Sequence, residues 1–346
     1  MIFKPKKILF WKLNVRIIFY GFIIFLTPLF GFWLLLSISI IIALSSQAYF
    51  YLWASLELNI ISALPLMNSS DSFFSSEISL KYFISQSIAS ILFIFFIAWG
   101  FLSSSRFYLP LLVFAMLFKL GLPPFHRWLL NIILIRPYKT IILLLFVQKF
   151  IPLHIISTLS PSLELLIYPA LLSFVVLLLS LKSIFSMRTG LIISAWGNTI
   201  WILISVSFTS IWLVFLLIYG IILISAIFLL DYFNLHKLAS LSDTIYLVKI
   251  PCILNFLNLA GLPPLTGFFA KLVLLKMLVS FVSIFWVLLL LATALSVLFA
   301  YIVLTYYAAS SPFSRARSLN IRLPPLIYFF LALNWLAFPL VLLIAP

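Results

Sequence analysis

Long stretches of this chain are apolar without a polar face. Runs such as Ile141–Phe146 and Leu171–Leu179 show neither the stripe of a surface helix nor the alternation of a half-buried strand. They read as helices in a nonpolar medium. At about 20 residues per crossing, the pattern predicts eleven spans, near 17–44, 47–67, 79–102, 107–134, 138–156, 163–181, 189–207, 211–230, 247–276, 280–309 and 323–344. A β-barrel also satisfies its backbone in lipid, but it requires segments of roughly ten residues with alternating polarity. The expected fold is an all-α polytopic membrane bundle.

Composition sharpens this picture. Of 346 residues, 66% are hydrophobic and 8% charged, with six acids in all; mean hydropathy is +1.32. Soluble domains carry about 25% charged residues, so a soluble enzyme, a disordered chain and a disulfide scaffold are excluded. The net charge of +15 raises the question of nucleic acid. The basic residues are scattered in short loops, however, which points to membrane topology and not to a nucleic-acid partner. With the N-terminus on side A, that side collects Lys4, Lys6, Lys7, Lys12, Arg16, Arg136, Lys139, Lys182, Arg188, Lys237, Arg315, Arg317 and Arg322. Side B collects little beyond Arg106. By the positive-inside rule, the N-terminus lies inside and the C-terminus outside. The basic start resembles a signal peptide, but the apolar run to Leu44 exceeds a signal core, and it is read as a retained helix. The one cysteine, Cys252, excludes an internal disulfide and a cysteine-based metal cluster.

One motif repeats. Gly121-Leu-Pro123-Pro124 recurs 140 residues later as Gly261-Leu-Pro263-Pro264, inside the fourth and ninth spans. Proline removes a helix hydrogen bond and clashes with the preceding turn, so both spans are expected to break. The two spans are offset by five, an odd number, so the two halves run in opposite directions. Paired broken helices in inverted repeats mark an ion pathway.

Four ionisable groups fall inside spans: Glu57, Lys119 just before the first break, Lys149 midway through 138–156, and Lys271 ten residues after Gly261. A charge at the bilayer centre costs roughly 2.5–3.5 kcal/mol. An ion pair with Glu57 accounts for one lysine and leaves two. A proton relay accounts for all three, because lysine releases a proton when desolvated whereas arginine does not. Two readings of His126 stand open: an extension of the proton path, or a hydrogen bond to carbonyls freed by the break. Lys276 is a late relay member or an interface lysine. Lys81, His154, His236, Asp71, Glu77, Glu164, Asp231 and Asp243 sit at helix ends or in loops, where solvation explains them. No haem-ligand pair, CxxC or P-loop occurs, so the chain is not expected to carry electrons.

Five stretches bear a resemblance: Trp53-Ala-Ser-Leu-Glu57-Leu-Asn59, Lys81-Tyr-Phe-Ile-Ser-Gln86, Lys119-Leu-Gly-Leu-Pro-Pro-Phe-His126, Gln148-Lys149-Phe-Ile-Pro152, and Gly261 to Lys271. From about residue 26 onward the chain resembles chain 2 of NADH–ubiquinone oxidoreductase, a family of antiporter-like membrane subunits of respiratory complex I. The resemblance implies a proton-translocating unit with Glu57 and Lys119 as a coupled pair, Lys149 as central relay and Lys271 as exit-side lysine. It implies the mitochondrial inner membrane with side A as matrix, other membrane-arm subunits and lipid as partners, and no cofactor on this chain. NADH, FMN, iron–sulfur clusters and ubiquinone belong to the complex's other subunits. The domains expected are a basic extension, 1–25, and one transmembrane domain, 26–346, with repeats at about 26–156 and 163–309 and a last helix at 323–344. Two positions depart from the family pattern: Leu130, where a proline is usual, and Asn198, where a histidine is usual. A stand-alone cation/proton antiporter and a purely structural spacer are the competing readings.

Overall fold

The structure, a computed structural model, describes residues 29–68, 73–103, 108–183, 186–208, 211–235, 241, 246–263, 265–281, 284–309 and 332. Its helices are α1 (Leu29–Ser45), α2 (Tyr49–Met67), α3 (Phe73–Ser103), α4 (Tyr108–Leu120), α5 (Arg127–Ile135), α6 (Tyr138–Leu145), α7 (Phe150–Leu159), α8 (Leu163–Ser180), α9 (Met187–Ser205), α10 (Ile211–Tyr232), α11 (Tyr246–Ala260), α12 (Thr266–Phe281) and α13 (Ile284–Ala309). The first ten expected spans each coincide with helix over their described parts. The eleventh, 323–344, lies outside the described residues apart from position 332, as do residues 1–25, Pro264, Arg106, His236, Lys237, Asp71, Asp243, Arg315, Arg317 and Arg322. Six of the described helical stretches are long and apolar enough to cross a membrane, among them Tyr138–Leu159 and Ile211–Tyr232.

The expected breaks are present: the fourth span divides into α4 and α5, the ninth into α11 and α12. A third break, inside 138–156, corrects the reading of a continuous helix there. α6 stops at Leu145, a 3₁₀ turn covers Val147–Lys149, and α7 begins at Phe150. Pro152 lies one turn after the kink. Its ring would clash with the carbonyl four residues back, at Gln148, in a continuous helix. Lys149 therefore lies at a break and not mid-helix. Phe146 fits at this kink because α10 offers Gly220, where a Cβ would stand 2.1 Å from the Phe146 ring.

α9 is the central post. Its side chains from Gly190 to Ser205 are all buried, including Trp196 and Trp201. It starts with a capping box between Ser186 and Thr189, which satisfies two of the amides a helix start leaves open.

Helix ends alternate as the span count requires. At one end, Arg136 donates to the Met67 carbonyl, Arg188 donates to Leu134 and lies 5.4 Å from the Tyr138 ring centre. Tyr138 there donates to Leu235. His154, on the opposite end of the same span as Tyr138, stands near the backbone of Ala43 and Ser46. Arg136 is only 2% exposed. Replacing it with leucine strands a buried carbonyl, and the protein is expected to lose about 1–3 kcal/mol of stability, read as an earlier unfolding transition in detergent.

Candidate functional site: three helix breaks and their lysines

Both Gly-Leu-Pro-Pro segments close a helix by the same hydrogen bonds. Gly121 takes φ +66 and Gly261 takes φ +84, a left-handed conformation that glycine adopts without steric penalty. Gly121 N–H donates to Phe118 at 3.1 Å and Leu122 N–H to Leu117 at 3.3 Å. Gly261 N–H donates to Asn258 at 3.0 Å and Leu262 N–H to Leu257 at 3.2 Å. Phe125 and Leu265 each close back on the leucine of their motif at 2.9 Å. The 140-residue repeat is thus a repeat of backbone geometry.

A helix end still leaves carbonyls without partners, and side chains from elsewhere supply them. Gln86 of α3 donates to the Lys119 carbonyl at 3.4 Å, and Trp128 to Phe118 at 3.2 Å. At the second break, Asn198 of α9 donates to Leu259 at 3.2 Å, and the Lys271 ammonium to Ala260 at 2.7 Å. Asn258 spans that break: its Oδ1 accepts from Gly267 N–H at 2.8 Å and from the Thr266 hydroxyl at 3.0 Å. Asn198, in place of the family histidine, is therefore a support for the second break.

Two of the three buried lysines bring their charge to a helix C-terminus. Lys119 is in the last turn of α4 and Lys271 reaches the last carbonyl of α11, whereas Lys149 ends the turn after α6 and immediately precedes α7. Their exposures are 4%, 4% and 3%. The negative end of a helix dipole favours a cation at Lys119 and at Lys271.

No ion pair neutralises these lysines among the described residues; the ion pair there is Lys81–Glu77 at 2.6 Å, between exposed groups. Glu57, half-buried on α2, acts on Lys119 through space. The Lys149 ammonium has no hydrogen-bond partner and lies 4.9 Å from the Tyr219 ring centre. Lys271 lies 5.8 Å from that of Trp201. A cavity of about 10 Å³, room for one water, lies between Asn59, Gln86, Lys119 and Gln148. A second of about 10 Å³ lies between Asn198, Tyr219, Asn258 and Gly267. Of the four candidate residues, Lys119 lines the first cavity, whereas Lys271 belongs to the second break.

His126 lies at the first break, with its buried Nδ1 unpartnered, and meets Trp196 edge-on at 5.2 Å. Lys276 and Glu164 are exposed, and Cys252 is buried as a free thiol. Sequence reasoning missed Tyr219, Asn258 and the third break, and gave Gln148 no role of its own. Pro152 was the available signal for the break.

Long apolar helices, with two spans broken beside buried lysines, define a polytopic membrane protein. No family model matches the chain. It is 34% identical over 246 residues to NADH-ubiquinone oxidoreductase chain 2 of Artemia franciscana, covering 71% of this chain and 79% of that one. It is 31% identical over 289 residues to the protein of the same name from Myxine glutinosa, covering 76% and 80%. The chain belongs to the NADH-ubiquinone oxidoreductase chain 2 family. Its fold matches a chain of respiratory complex I from Thermus thermophilus with TM-score 0.74 at 20% identity, over 91% of this chain and 78% of that one.

Proposed function

We propose that this chain is a proton-translocating membrane-arm subunit of NADH–ubiquinone oxidoreductase, respiratory complex I. Glu57, Lys119, Lys149 and Lys271 are its relay, and His126 flanks the first break. The observation that carries this reading is the placement of three buried lysines at three interrupted helices. Magnitudes explain why that placement suits a relay. A helix end offsets at most about 2 kcal/mol of a cation's burial, against roughly 2.5–3.5 kcal/mol for a charge at mid-bilayer. The helix end alone leaves the ammonium short of stable. A nearby carboxylate tips Lys119 toward holding its proton, and withdrawal of that carboxylate tips it toward release. One-water cavities beside Lys119 and beside the second break give the proton intermediate stops.

On this reading the repeats at about 26–156 and 163–309 are inverted relative to each other, preceded by a basic extension at 1–25. The chain resides in the mitochondrial inner membrane with its N-terminus in the matrix and its C-terminus toward the intermembrane space. It binds lipid and neighbouring membrane-arm subunits. NADH, FMN, iron–sulfur clusters and ubiquinone react elsewhere in the complex, and quinone reduction there drives the charges here. Native electrophoresis tests the assignment. The chain should migrate in a large assembly that stains for NADH dehydrogenase activity. A free chain that exchanges cations for protons in liposomes without partners would support the stand-alone antiporter in its place.

A further inference from the structure

Between Lys149 and Lys271 the relay has a gap, and Tyr219 of α10 stands in it. One face of its ring carries the Lys149 ammonium, 4.9 Å from the ring centre. The same residue walls the cavity at the second break together with Asn198 and Asn258. Tyr219 is 3% exposed, and its hydroxyl has no hydrogen-bond partner; nor does Nδ2 of Asn258. Buried polar atoms almost always find a partner, in protein or water. A void of about 10 Å³ with Asn198, Tyr219 and Asn258 among its walls is the size of one water. Packing under Lys149 needs only a ring, which phenylalanine supplies without the desolvation cost of a hydroxyl.

We propose that Tyr219 is itself a relay residue that hands the proton from Lys149 to a single water held at the second break. This rests on the relay reading above. A hydroxyl donates and accepts at once. A proton leaves the Lys149 nitrogen for the phenol oxygen as the hydroxyl's own proton passes to the water. Lysine ends neutral, tyrosine is neutral before and after, and the proton proceeds toward Lys271. The flexible four-carbon stem of lysine lets the ammonium move from the ring face to its oxygen-bearing edge.

The test uses the assembled complex in sealed membranes carrying Tyr219→Phe, Tyr219→His or Lys149→Gln. Proton translocation during NADH oxidation by quinone is measured beside assembly on native gels and NADH oxidation by hexacyanoferrate. Tyr219→Phe is expected to lose more than about half of the proton translocation, with assembly and hexacyanoferrate activity intact. Tyr219→His retains a ring that carries a proton and should recover most of the loss, which a purely structural role would not allow. Full translocation in Tyr219→Phe, or a His variant no better than Phe, overturns the inference. If Lys149→Gln also translocates normally, the relay reading falls with it.

Discussion

Lys119→Met is expected to leave the chain in its assembly and to lower proton-coupled turnover by roughly tenfold or more, within the range for loss of a positioned proton-transfer group. Lys119 is 4% exposed at the end of α4. Methionine matches its unbranched shape, and its thioether suits an apolar interior. Removing a buried ammonium that lacks an ion-pair partner also removes a desolvation cost, so packing does not suffer. Glu57 is half-buried and need not be left as an enclosed, isolated charge. Lys119→Arg separates charge from proton release: arginine keeps the positive charge but does not give up its proton, so it should be as inactive as methionine. Proton translocation, read against the amount of complex on a native gel, checks both variants. A Lys119→Arg protein with normal pumping would show that positive charge alone matters at this position.

Gly267→Ala is expected to damage the fold itself. A Cβ there would stand 2.1 Å from the Asn258 backbone carbonyl, an approach that only displacement of one half of the broken span relieves. That displacement breaks the 2.8 Å bond from Gly267 N–H to Asn258 Oδ1. Overpacking and a stranded buried polar pair together place the loss at several kcal/mol, of the order of 3 or more. Thermal unfolding of the detergent-solubilised complex, with the yield of assembled protein, measures it. An unaltered transition would mean that the α11–α12 junction is looser than the hydrogen bonds at Asn258 suggest.

The features legible in the sequence are those whose physics is local. Gly121 and Gly261 with their prolines dictate a stop wherever they fall, because the clash and the left-handed turn involve only adjacent residues. The lengths of apolar runs fix spans because membrane thickness does. Arg136 and Arg188, two of the charges assigned to one side, meet the backbone at one end of the bundle beside Tyr138 and Leu235. Buried lysines were legible as anomalies, since a cation within an apolar run demands a reason. The partners of the freed carbonyls were not legible. Gln86, Asn198 and Trp128 are single polar positions in helical stretches, with no periodicity to announce them, and they act on carbonyls supplied by other segments. Tyr219 was hidden for the same reason: a tyrosine among the leucines of α10 looks like packing until its hydroxyl is seen to lack a partner. The Lys149 break has its sequence signal in Pro152, whose clash falls on a residue four positions earlier.

The relay is tested most directly by the number of protons moved per NADH oxidised in sealed membranes containing Lys149→Met. A buried-lysine relay predicts that Lys149→Met assembles, still oxidises NADH with hexacyanoferrate, and moves protons at a small fraction of the unsubstituted rate. An assembled Lys149→Met complex that moves as many protons per NADH as the unsubstituted one would contradict it.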